Sequence, residues 1–276
     1  MKNKTFTIYR RKPTIEGAGV KLFRLFGFSE IPQFDPFLMF DHFGSQNPED
    51  YIKGFPWHPH RGIETVTYVL NGEVEHADSL GNKGTIKSGD VQWMTAGSGI
   101  IHQEMPKKSI HGMDGFQLWI NLPRKKKMIN PKYRDIKSSE IPVLESNDFS
   151  LKLISGTFKE VIGPVSDLAV DIDYFDIELK PNKKIQLALK KNHTTFIYLI
   201  KGTALIDDII IQEGNCVLFL RGDIAEIIAK DKLHFLFISG KKLNEPISWG
   251  GPIVMNSNEE LQKAFEEFNN GSFVKH

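Results

Sequence analysis

One turn-punctuated pattern occurs twice in this chain. Tyr68-Val-Leu-Asn-Gly72 matches Tyr198-Leu-Ile-Lys-Gly202, and Ile86-Lys-Ser-Gly-Asp90 matches Ile211-Gln-Glu-Gly-Asn215. The interval from glycine to glycine is 17 residues in the first copy and 12 in the second, so the second reads as the same hairpin unit with a shortened loop. A repeat of this kind limits architecture more than local propensity does, because each copy must bury the same face. Around both copies, β-branched and aromatic runs are broken by glycine-containing turns. Glu64 to Leu70 closes at Asn71-Gly72, a strong hairpin signal, and Thr195 to Ile200 closes at Lys201-Gly202. The pattern is that of an all-β sandwich or barrel rather than of alternating βα units. Two β domains are expected, 1–130 and 131–276. They would meet at the proline-interrupted stretch from Asn121 to Pro142, whose basic run Arg124 to Lys127 reads as a solvated linker. One helix is expected at the C-terminus, within the second domain. Ser257-Asn-Glu-Glu260 is a capping-box pattern, Leu261, Ala264, Phe265 and Phe268 fall at i, i+3, i+4 and i+7, and Gly271 can end it.

Composition narrows the class. Lys and Arg number 35 against 34 Asp and Glu, a formal charge of +1, so no bulk electrostatic signal points to direct nucleic-acid binding. The single cysteine, Cys216, excludes an intramolecular disulfide framework and a cysteine-only metal site, and it fits a reducing compartment. No run approaches the ~18 apolar residues of a membrane span, and the start MKNKTFTIYRRKPTIEG has no apolar signal core. A cytoplasmic protein with no membrane partner is expected.

The histidines are unevenly placed. Of nine, six lie at or before His111, and only His193, His234 and His276 follow. The densest group is Phe55-Pro-Trp-His-Pro-His60-Arg-Gly-Ile-Glu64, followed 42 residues after His60 by His102-Gln-Glu104. Residues i and i+2 of a strand share a face, so His58 pairs with His60 and His102 with Glu104. If the two strands face one another, three neutral imidazoles and one carboxylate converge. Such a nitrogen-rich set without thiolate suits Fe(II), Mn(II), Co(II), Ni(II) or Cu(II), and zinc less specifically. Glu64, four residues after His60, would also share that face, so spacing alone leaves Glu64 and Glu104 as alternative carboxylate ligands.

At these residues the chain resembles the pirin family of the cupin superfamily. The resemblance rests on His58 to Gly72, His76 to Gly84, Gly89 to Pro106, Phe34 to Asp41 and Gly115 to Pro123. It implies two tandem cupin jelly-roll barrels with one metal, usually iron, in the N-terminal barrel, held by His58, His60, His102 and Glu104. Glu64 then becomes a residue that supports the site from behind or serves the fold alone. In the second copy the positions of His58 and His60 fall on Ala188 and Lys190, and near that of His102 stand Ala225, Glu226 and Ile227, so a metal-free second barrel is expected. Some pirins are quercetinases, and the resemblance implies dioxygen-dependent ring cleavage of a flavonol with release of CO, Glu104 acting as ligand and base. As the alternative, it also implies pirins that are non-enzymatic, iron-dependent partners of transcription factors or metabolic enzymes.

Other residues are weighed by position. Trp57 adjoins His58 and is the foremost pocket aromatic. Trp93, Trp119, Phe43 and Phe55 in β runs are expected in the core more often than in a pocket. Met94 and Met105 are expected as packing, and His42 and His111 lie outside the paired spacing. His76 and Asp78 precede a glycine turn and suit a structural hydrogen bond. Arg61, beside His60, would orient a ligand, steer an anionic substrate or form a surface ion pair. Cys216 among Val217, Leu218 and Phe219 reads as a buried, inert thiol.

Overall fold

The period-2 runs become antiparallel sheet. In the strand Ile100–Pro106 buried and half-buried residues alternate at every position, so one face turns inward along its whole length. A computed structural model describes residues 5–275; residues 1–4 and 276, and with them His276 and the outer limits of the two expected domains, lie outside the described residues.

The chain divides into two compact units. One comprises Met1–Arg11, Pro32–Asp35 and Ser139–Lys242, the other Lys12–Ile31, Pro36–Ser138 and Leu243–His276. Each is built from a seven-stranded and a four-stranded sheet, with the same internal order. In the unit that holds the first copy, the seven strands run Lys132–Ile136, Val91–Thr95, Ile63–Asn71, Met113–Asn121, Phe37–Ser45, Val20–Phe26 and Lys12–Glu16. Its four-stranded sheet runs Phe55–His60, Ile100–Pro106, Glu73–Asp78 and Lys83–Lys87. In the other unit the order is Phe6–Arg10, Asn215–Phe219, His193–Lys201, Leu233–Lys241, Ile172–Leu179, Phe149–Ser155 and Val143–Glu145, with Lys184–Ala188, Ile224–Ala229, Thr203–Ile206 and Ile209–Gln212 opposite. The repeat is thus a repeat of topology, two jelly-roll barrels of the cupin type. Gly72 and Gly202, at φ +102° and +89°, hold matching turns that other residues adopt only with strain.

This division departs from a single cut at 130/131, and both ends of the chain account for it. The N-terminal strand Phe6–Arg10 pairs with Asn215–Phe219, covering the edge that Lys132–Ile136 covers in the other barrel. An unpaired sheet edge leaves a row of backbone groups without partners, and each barrel needs such a strand. At the other end, the hairpin Ser248–Gly250 and Ile253–Met255 and the helix Asn258–Asn269 fold with the first barrel. Val254 packs with Leu38, Ile63, Met94, Ala96 and Ile100, and Ala264 packs with Ile253, Met255 and Phe273. The helix cap forms as expected, Ser257 Oγ accepting from the Glu260 amide at 3.2 Å, while the Glu260 carboxylate reaches the amide of Asn256 at 2.9 Å.

The basic run is not wholly solvated. Lys127 is buried, its ammonium donating to Gly62 O, Asn121 Oδ1 and Val254 O at 2.9, 2.7 and 2.9 Å. Three acceptors saturate the three N–H donors, which is how a lysine tolerates burial.

The barrel of the second copy is filled. Leu153, Phe175, Ile197, Leu199, Val217 and Phe237 belong to one continuous apolar cluster, with Phe175 and Phe237 stacked at 5.3 Å. Its strands Lys184–Ala188 and Ile224–Ala229 turn Ile185, Leu187, Ile227 and Ala229 into that cluster. Cys216, beside Val217 in its strand, is fully buried, and burial pushes its thiol far up from the usual range.

Candidate metal centre

The chemistry-bearing residues gather in the other barrel. Phe55–His60 carries prolines at 56 and 59, which cannot donate to a ladder, and accordingly lies at the edge of its four-stranded sheet. It pairs with Ile100–Pro106 so that His58 lies directly opposite His102, and His60 opposite Ile100. Between His102 and Glu104 the register slips, Glu104 facing Phe55, so Pro56 and Trp57 together oppose Gln103 and the edge strand bulges by one residue.

This pairing brings three imidazoles together. One ring nitrogen from each of His58, His60 and His102 falls within 4.8 Å of the others. The ring centroids are 4.8 Å apart for His58 and His60, 4.4 Å for His58 and His102, and 5.0 Å for His60 and His102. His58 Nδ1 is 2.8 Å from the Pro56 carbonyl and His60 Nδ1 is 3.2 Å from that of Pro252. A carbonyl oxygen only accepts, so both Nδ1 atoms carry the proton and both Nε2 lone pairs remain available. His102 is buried, and neither of its ring nitrogens has a hydrogen-bond partner. An orphaned buried imidazole costs free energy unless something binds it.

Electrostatics favour the ligand form. Burial, reinforced by repulsion from His58, pushes His60 well below the ordinary imidazole range; His102 is depressed in the same way, with His60, His58 and His76 contributing. Both are therefore neutral at neutral pH, as metal ligation requires. A divalent cation fits this set, since the donors converge, His60 and His102 are held neutral, and His102 has no other partner.

The same depression predicts a pH dependence for the metal-free protein. Below the ordinary histidine pKa the unfolded chain takes up protons that the folded chain refuses. Stability should therefore fall as pH drops from about 6.5 toward the depressed folded values, by about 1.4 kcal/mol per pH unit for each histidine. Denaturant unfolding of metal-free protein between pH 7.5 and 5 measures this, and a flat profile would contradict it.

Glu104 is buried on the same inward face as His102 and lines the cavity, its Oε1 accepting from the Thr67 hydroxyl at 3.0 Å. It does not belong to the histidine group itself. Glu64 is elsewhere. The expectation that it shares a strand face with His60 fails because the strand ends at His60, and Gly62, at φ +76°, turns the chain into Ile63–Asn71. A Cβ at Gly62 would overlap the Val254 carbonyl oxygen. Both Glu64 oxygens are engaged, Oε2 by Trp93 Nε1 at 3.0 Å and Oε1 by Thr95 Oγ1 at 2.6 Å. Glu64 is thus a buried structural acceptor, and Trp93 is core.

Arg61 neither reaches the cavity nor forms a surface pair. It is 2% exposed, donating to Glu267 Oε2 at 2.7 Å and to the Phe273 carbonyl at 2.8 Å. His42 is held by Asp114 at 2.7 Å. Asp78 accepts from the amides of Leu80 and Asn82 in its turn, and His76 stacks on Tyr133. Met94 is core, as expected.

A cavity of about 710 Å³ opens over His58 and His60, within the range of small-molecule sites. Its aromatic wall includes Phe43, Phe55, Trp57, Trp119 and Trp249, with Trp57 about half exposed. Trp119 stands edge-on to His60 at 5.0 Å. Sequence reasoning missed Thr67, Gln117 and Trp249. Thr67 was recoverable as a polar residue inside a β run, whereas Trp249 belongs to a segment remote in the chain and gave no local signal. Arg24, also on the lining, is held by Asp41 through two hydrogen bonds of 2.8 Å and by Glu16 at 2.9 Å.

Two jelly-roll barrels of identical strand order, with convergent histidines in one of them, define a two-domain cupin protein. Residues 19–120 match the family described as Pirin, and residues 174–274 match the Pirin C-terminal cupin domain. The chain belongs to the pirin family. It is 40% identical over 269 residues to a pirin-like protein of Caulobacter vibrioides, covering 96% of this chain and 97% of that one. It is 39% identical over 280 residues to pirin of Homo sapiens, covering 98% and 93%. The crystal structure of quercetin 2,3-dioxygenase from Acinetobacter baumannii superposes with a TM-score of 0.91 at 33% identity, covering 98% of both chains. No described helix is long and apolar enough to cross a membrane.

Proposed function

We propose that this protein is a flavonol 2,3-dioxygenase, converting a flavonol and O2 into a ring-opened ester and CO at one divalent metal ion. The observation that carries the proposal is the convergence of three histidines beneath an aromatic-walled cavity. The likeness to a quercetin 2,3-dioxygenase along the whole chain supports it. His58, His60, His102 and Glu104 would hold the ion, which we assign as Fe(II), and the reducing cytoplasm is the compartment that suits it. When bound, such an ion lowers the pKa of a coordinated hydroxyl and offsets the negative charge left behind.

The chain's own residues supply the rest. Phe43, Phe55, Trp57, Trp119 and Trp249 offer faces and edges to a planar ring system and exclude water from it. Glu104, fixed at Oε1 by the Thr67 hydroxyl, takes the proton of the flavonol 3-hydroxyl as general base. Metal-loaded protein given excess quercetin should consume O2 and release CO over many turnovers. Stoichiometric metal with no turnover would overturn the assignment and favour a regulatory protein whose partner reads the metal state.

A further inference from the structure

The segment Leu243–His276 folds with the barrel that holds the histidines, and it grips the residues beside His60 at several points. Ile253 bridges Arg61 in parallel, and the Val254 amide donates to the Arg61 carbonyl at 3.0 Å. Lys127 joins Val254 O to Gly62 O. The Arg61 guanidinium reaches the far end of the segment, bonding Glu267 and the Phe273 carbonyl and lying 4.2 Å from the centre of the Phe273 ring. Buried this deeply, its charge is committed to these partners rather than to a ligand. What the grip brings to the histidines themselves is the Pro252 carbonyl on His60 Nδ1.

We propose that Arg61 is a positioning residue for the metal centre. By anchoring Glu267 and Phe273 it holds the C-terminal segment in place, so that Pro252 keeps His60 in its Nδ1–H tautomer with Nε2 directed to the site. Acceptors on the outer nitrogen of a ligating histidine fix its ring and raise its basicity, and losing one typically costs about 10- to 100-fold in metal affinity. His58 provides an internal control, because its Nδ1 acceptor, Pro56, lies in its own strand and not in the C-terminal segment. The proposal rests on the reading of the triad as a metal site.

The test uses full-length metal-free protein carrying 15N-labelled histidine, with Arg61→Met, Arg61→Lys and Glu267→Gln variants. Long-range 1H–15N spectra identify each tautomer, and titration with Co(II) alone measures affinity. Arg61→Met and Glu267→Gln should shift His60 away from the pure Nδ1–H form, leave His58 unchanged and weaken Co(II) binding about 10- to 100-fold, with Arg61→Lys recovering part of the loss. If Arg61→Met does not fold, Glu267→Gln carries the test. An unchanged His60 tautomer in a folded variant, or equal disturbance of His58 and His60, would overturn the proposal. Failure of the wild-type protein to bind Co(II) would instead sink the metal-site reading, and the tautomer spectra would still decide the role of Arg61.

Discussion

Replacing His102 with alanine is expected to abolish stoichiometric metal binding and, with it, more than about 1,000-fold of any metal-dependent turnover. His102 is the buried member of the triad whose nitrogens have no alternative partner, so the folded protein gives up no hydrogen bond when the ring is removed. The metal-free variant should therefore lose only about 1–2 kcal/mol through lost packing. The sharper signature is thermodynamic linkage. At a free metal concentration 1,000 times Kd, a ligand that binds only the native state adds about 4 kcal/mol. Wild-type protein should show that rise in unfolding midpoint on metal addition and His102→Ala should not. A variant that still binds one equivalent with affinity within tenfold of wild type would remove His102 from the ligand set.

Glu104→Gln should separate ligation from proton transfer. The carboxamide oxygen can still accept from the Thr67 hydroxyl, so the shape of the cavity is retained, and the three histidines remain to bind metal. A carboxamide cannot take up a proton at neutral pH. Turnover of quercetin at saturating metal should fall about 10²- to 10⁴-fold, the usual contribution of a positioned general base. Metal content and kcat measured on one preparation decide the matter: full turnover with metal retained would place the base elsewhere. The same variant tests whether Glu104, which stands outside the histidine group, contributes to ligation, since metal affinity should also fall.

Glu64 and Glu104 show how far the sequence reaches. Both are glutamates within a few residues of a ligand histidine, and spacing did not separate them. The resemblance to pirins selected Glu104, and the fold supplies a physical reason. His60 ends one strand and Glu64 begins to pair in another, so the two no longer share a face, and both Glu64 oxygens are taken by Trp93 and Thr95. Arg61 has the same history. A charged residue beside a ligand suggests a role in the pocket, yet its partners lie more than 200 residues away in sequence. The loss of the ligand types at Ala188 and Lys190, and the change to Ala225 and Ile227, in the second copy were, by contrast, legible, because these positions follow directly from the repeat; Ile227 lies in the apolar cluster and Ala225 is buried, while Ala188 is exposed at the end of its strand.

What the sequence determined by itself was local and periodic. Alternation at period 2 put His58 with His60 and His102 with Glu104 on single faces, glycines marked the matching turns, and the repeat announced two barrels of one design. These follow from backbone geometry, which each short run carries within it. The tertiary structure alone decided which strand meets which, where the two ends of the chain fold, and which aromatic residues wall the cavity. Phe6–Arg10 closes the edge of the barrel built from the second copy, and from the C-terminal segment Trp249 joins the cavity wall while Pro252 reaches His60. Such contacts are chosen by covering exposed sheet edges and burying apolar faces over the whole chain, and no short window of sequence contains that competition.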